Sequence, residues 1–172
     1  MVNNKYSQEN MDTERKILTS MKMTNQSGFQ DIIGTGSTVF EGIPREFLIL
    51  EKLGSNLTDE LSLIPERVLD LQKIVQIGVN ILCRLRHLHS LGYIHSNLQP
   101  SSIALANIRD REDEEVNGYS QVFLTNLGDV RPYKDLKGVH FPDMVLEDIK
   151  LNIWCSKHFL ANHRASRRDD II

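Results

Sequence analysis

Cysteine is scarce in this chain, and what there is cannot staple a fold. Cys83 and Cys155 are the two in 172 residues, and no zinc-type spacing accompanies either, so they read as reduced residues of an intracellular protein. No apolar run approaches the length of a membrane span, and the opening residues MVNNKYSQEN hold no apolar stretch at all. The expectation is therefore a cytosolic or nuclear protein. A charge excess is missing too. Twenty Lys and Arg stand against 23 Asp and Glu, for a net charge of −3 and a pI near 6.1, which gives no basic footprint for nucleic acid or for an anionic membrane.

What is present suits one globular unit. A hydrophobic content of 40% over this length is enough for a core. The strongest periodicity lies between Pro65 and Gly92, where Leu71, Ile74, Val75, Gly78, Ile81, Leu82, Leu85 and Leu88 recur at three and four residues. That spacing predicts one long core helix, with Pro65 in its first turn and Gly92 at its C-terminal cap. Asp12–Lys22 predicts a shorter amphipathic helix with Ile17, Leu18 and Met21 on one side. A hairpin is predicted from a strand near Asp31–Gly34, a turn, and a second strand at Glu46–Leu50. Ile103–Ala106 and Gln121–Thr125 read as two further short strands. The charged stretch RDREDEEVNGYS between them reads as a solvated surface hairpin or as an acidic docking segment.

Two stretches carry the functional argument. His89–Leu105 reads HSLGYIHSNLQPSSIAL, an apolar helix end running into a polar loop with a proline, and Thr125–Gly128 reads TNLG. Together they resemble the catalytic loop of protein kinases, H-R-D-x-K-x-x-N, followed one hairpin later by D-F-G. The same slots hold His95, Ser96, Asn97, Gln99 and Ser102, then Asn126, Leu127 and Gly128. Near the C-terminal end, SKHFLANHRASRRDDII resembles a pattern of the casein kinase 1 superfamily and especially its vaccinia-related kinase branch. Ser156, Ala161, His163, Ser166, Arg167, Arg168 and Asp170 fit that pattern. GSNL at Gly54–Leu57 and SQVFLTNLGDVRPY point the same way. The resemblance runs from Lys5 to Asp170.

That resemblance implies an α+β chain holding part of a protein-kinase fold. Residues 1–57 would be a remnant of the N-lobe sheet with helix C and the hinge. Residues 58–172 would be the first part of the helical C-lobe, with the catalytic-type loop and the activation segment. At 172 residues the chain is about a third shorter than a complete kinase domain of roughly 250. Asp170 would stand at the start of the central C-lobe helix and brace the loop at His95, with Arg168 structural beside it. The face of Leu71–Leu88 that this helix would cover is then left open. Each large side chain left exposed forgoes about 1.5–3 kcal/mol, so the expectation is a chain that is marginally stable or dependent on a partner.

The resemblance also supplies site positions. Lys5 reads either as the strand lysine of the nucleotide site or as a solvated lysine. Glu14 reads as the helix C glutamate that would pair with it, or as an exposed helix carboxylate. Leu50, Glu51 and Leu53 fall at the hinge, where backbone groups would meet adenine, or form a strand and turn with no ligand. Ile33–Phe40, IGTGSTVF, looks like a phosphate-cradling glycine loop, but its place after the candidate helix C assigns it to the hairpin instead. His87, His89 and His95 lack the cysteine or carboxylate that would complete a metal set, and His95 reads as a core residue bracing the loop.

The departures from the kinase pattern decide the expected chemistry. A carboxamide at Asn97 cannot accept the substrate proton, and Gln99 removes a charge that would steady the phosphoryl group. Asn126 and Ser102 put neutral oxygens where Mg²⁺ would be held. The expectation is a pseudokinase with no resident cofactor, weak or no ATP affinity, and a protein partner such as a related kinase. Two alternatives remain: a serine/threonine kinase of unusual chemistry that uses ATP and Mg²⁺ with Asp129 as metal ligand, or a relic with no independent role.

Overall fold

A computed structural model describes residues 8–107, 119, 121–144, 154, 156–161 and 163–171. Lys5, Cys155 and most of the charged stretch after Asn107 lie outside the described residues. The architecture is mixed α and β with small antiparallel sheets. Helix α1 (Gln8–Met23) leads into the hairpin of β1 (Ile32–Phe40) and β2 (Ile43–Leu50). Then come α2 (Leu57–Leu63) and the long helix α3 (Leu71–Ser90). Strand β3 (Tyr93–Ile94) pairs with β6 (Arg131–Pro132), and β4 (Ile103–Leu105) pairs with β5 (Val122–Leu124). A short helix α4 (Lys157–Leu160) and a tight helical turn at Arg167–Asp170 complete the described order.

The hairpin differs from the sequence expectation in where it turns. Glu41 and Gly42 both take positive φ, 52° and 76°, which is the two-residue turn whose twist matches the flanking strands. The G-T-G-S-T stretch therefore lies within β1, where its hydrogen bonds go to β2. Gly36 has a packing reason of its own. A Cβ there would come within 2.4 Å of the Phe47 ring on the facing strand, so the missing side chain is what lets that ring lie across β1.

The long helix is shorter at its start than periodicity predicts. Asn56 caps α2 by accepting from the Thr58 and Asp59 amides, at 2.9 and 3.1 Å, and Pro65 falls in the turn after it rather than in α3. Asp70 caps α3 by accepting from the Lys73 amide at 2.9 Å. At the other end Gly92, with φ of 91°, releases the chain as predicted.

Only one side of the α3 stripe is in the core. Ile77, Ile81, Leu85 and Leu88 pack with Ile17, Leu18 and Met21 of α1, with Val122 and Leu124 of β5, and with Leu127. Leu71, Ile74, Val75 and Leu82, predicted as part of the same face, are exposed. Ridges spaced at three and four residues span more of the helix than one neighbour covers, so this half of the stripe meets solvent. No helix among the described residues is long and apolar enough to cross a membrane.

Candidate functional site

The site is built where the loop after α3 meets the loop after β5. His95 is completely buried, and its Nε2 lies 2.9 Å from the Thr125 carbonyl. That acceptor requires the ring proton on Nε2, which leaves Nδ1 as a bare lone pair with no partner among the described residues. Protonating the ring would add an N–H facing nothing. Burial accordingly pushes the His95 imidazole below its ordinary value of 6.5, and the Thr125 carbonyl opposes this in part.

The sign of the pH effect follows. As pH falls below about 6.5 the unfolded chain takes up a proton at this histidine that the folded chain does not, so the stability it contributes is whole above that pH and erodes below it. The His95 ring-proton resonance should titrate below pH 6.5, and the urea midpoint should be lower near pH 5.5 than near pH 7.5. A His95 resonance that titrates above 6.5 would contradict this.

Asp170 holds the loop from beneath. Its carboxylate, in a residue 4% exposed, accepts from the His95 and Ser96 amides at 2.8 and 2.9 Å, and His89 Nε2 lies 2.8 Å from Oδ2. Ser96 sits in the left-handed region with φ of 58°, a conformation that costs a serine about 1 kcal/mol or more. Two bonds hold it there: its amide on Asp170, and its hydroxyl donating to the Asp129 carbonyl at 2.9 Å.

Helix α1 enters from the other side. Glu14 is buried, not exposed, and its Oε1 accepts from the Leu127 amide at 3.2 Å. The candidate helix C glutamate is thus brought to the T-N-L-G segment. Asn126, the preceding residue, is exposed and also left-handed, with φ of 60°.

Ser102 is spent on local structure. Its hydroxyl donates to the Gln99 carbonyl at 2.8 Å and accepts from the Gln99 amide at 3.0 Å, and the residue is fully buried. A side chain closed on its own turn in this way is not presented as a metal ligand. Asn97 does meet an acid, however. Its Nδ2 donates to Asp129 Oδ2 at 3.4 Å, while Asn10 of α1 donates to Asp129 Oδ1 at 3.0 Å. Asp129, the metal ligand of the alternative kinase reading, turns its carboxylate onto Asn97.

The candidate hinge positions are engaged within the chain. The Glu51 amide donates to the Asp31 carbonyl at 2.8 Å, and the Glu51 carbonyl accepts from the Gln30 side chain at 2.9 Å. Leu50 packs at the edge of the main core, and Leu53 packs against Ala104, Ala106 and Phe123. Arg168 lies at the Arg167–Asp170 turn, half exposed, with Nε 3.8 Å from Asp169 Oδ2.

Comparison with known proteins gives a weak and partial likeness to serine/threonine protein kinases. No family model matches the chain. It is 28% identical over 98 residues to a probable serine/threonine-protein kinase of Dictyostelium discoideum, covering 54% of this chain and 19% of that protein. To nucleosomal histone kinase 1 of Drosophila melanogaster it is 26% identical over 101 residues, covering 59% of this chain and 16% of the relative. The chain spans less than a fifth of the length of the curated relatives it matches.

Proposed function

We propose that this chain is a pseudokinase-type member of the casein kinase 1 superfamily, nearest its vaccinia-related branch, that works by binding another protein rather than by transferring phosphate. On this reading residues 1–57 are the N-lobe part and residues 58–172 the first part of the C-lobe. The brace from Asp170 to His95 and Ser96, and the contact of Glu14 with Leu127, support a kinase-like arrangement. One observation carries the loss of chemistry: a carboxamide stands at the proton-accepting position, and the hydroxyl in the metal slot is closed on Gln99. The exposed half of α3, from Leu71 to Leu82, supports a partner that is itself a folded protein, such as a related kinase.

One specific observation favours a second reading. Asp129 Oδ2 lies 3.4 Å from Asn97 Nδ2, close enough to stand in for a missing carboxylate in a serine/threonine kinase with residual activity. A thermal-shift titration with ATP, with and without Mg²⁺, separates the two. A ligand that binds only the folded state stabilises it by mass action, by about 2.7 kcal/mol at a hundredfold excess over Kd, and so raises the midpoint. The proposal expects no Mg²⁺-dependent rise. A saturable rise that requires Mg²⁺ and disappears in Asp129→Asn would establish the second reading instead.

A further inference from the structure

Away from the loop at His95, three metal-ligating side chains converge at the junction of two stretches separate in sequence. Asp143 lies beyond β6, His158 is on α4, and His163 follows it. One carboxylate oxygen and two ring nitrogens from these residues lie within 4.8 Å of one another. Asp143 Oδ1 is 3.5 Å from His158 Nε2 and 3.3 Å from His163 Nδ1. The imidazoles stack with centroids 4.4 Å apart and planes 26° apart.

These spacings have a chemical meaning. Ligands about 2.1 Å from a tetrahedral cation stand roughly 3.4 Å from each other. Two of the three edges already match that distance, and rotation of a half-buried imidazole adjusts the third. The backbone beneath is fixed: the Arg164 amide donates to the Met144 carbonyl at 3.0 Å, joining the two stretches beside the cluster. A positive charge is drawn there as well. The Arg168 guanidinium contacts His158 Nε2 and lies 3.9 Å from Asp143 Oδ2.

We infer that Asp143, His158 and His163 bind a divalent transition-metal cation of the zinc class, with a fourth corner left for water or another ligand. Two imidazoles and one carboxylate suit zinc or cobalt far better than magnesium or calcium, which take oxygen ligands. The ion would clamp the stretch at Asp143 to the stretch that carries Asp170. It would also displace Arg168 from His158, because guanidinium and metal compete for the same nitrogen. The assignment stands independently of whether the chain transfers phosphate.

The test uses the full chain stripped with a chelator. Zn²⁺ is titrated against a chromophoric competitor, and Co²⁺ is followed by its visible absorption, which is intense only in tetrahedral sites. One equivalent should bind, and His158→Ala and His163→Ala should each weaken binding at least about tenfold, the lower end of the losses found even for outer-shell partners. Arg168→Ala should tighten it several-fold, while His140→Ala and Cys83→Ser leave it unchanged. Asp143→Asn serves as a milder variant should an alanine variant fail to fold by circular dichroism. The assignment is overturned by the absence of stoichiometric binding, by binding that survives intact in the histidine variants and Asp143→Asn, or by binding that depends on a cysteine.

Discussion

Replacing Asp170 by alanine lowers the unfolding free energy by about 3–5 kcal/mol, the sum expected when several donors lose one buried carboxylate acceptor. Three groups lose their acceptor at once: the His95 and Ser96 amides and the His89 ring. The second amide belongs to Ser96 itself, held at φ of 58°, and a buried N–H left without a partner costs about 1–3 kcal/mol by itself. Ser96 would then relax out of the left-handed region, taking its bond to the Asp129 carbonyl with it. A change of this size is a large share of the roughly 5–15 kcal/mol that holds a domain together. Asp170→Asn keeps one acceptor oxygen and should fall between, at about 1–3 kcal/mol. Urea unfolding followed by circular dichroism reads both. A loss below about 1 kcal/mol for the alanine variant, within the range of ordinary substitutions, would mean that the loop does not rest on this carboxylate.

Much of this architecture was legible from local pattern. Ile17, Leu18 and Met21 lie on one face of α1 and are all buried, because a period of 3.6 determines which residues share a side. The short strands at Ile103–Leu105 and Val122–Leu124, and the glycine that ends α3, also follow from chain-local preferences. Where competing local signals met, the prediction failed. Pro65 is acceptable in a first helical turn, but the Asp70 cap outcompetes it by satisfying the Lys73 amide directly. The split of the α3 stripe was not legible either, since periodicity gives the apolar face but not which neighbour covers it. The contact of Asp129 with Asn97 depends on a left-handed residue at Asn126 that turns the following segment. The Asp143, His158 and His163 cluster joins stretches brought together only by tertiary packing, so no local spacing marks it.

The second large effect concerns chemistry. Active protein kinases turn over at about 1–100 per second, and loss of a positioned general base alone removes roughly 10²–10⁴ of that. On the proposed reading the base position is Asn97, the metal positions are Asn126 and a self-satisfied Ser102, and Gln99 carries no charge. Asp129 meets Asn97 through one carboxylate oxygen, and its second oxygen is held by Asn10. An incoming hydroxyl would have to compete with two carboxamides for it. The most direct measurement is transfer of radiolabelled phosphate from ATP, by the purified chain, to itself and to a generic protein substrate with Mg²⁺ present. No transfer above an enzyme-free blank is expected, in the parent chain or in Asp129→Asn. Mg²⁺-dependent transfer by the parent chain that is lost in Asp129→Asn would contradict the account and make that aspartate the working acid.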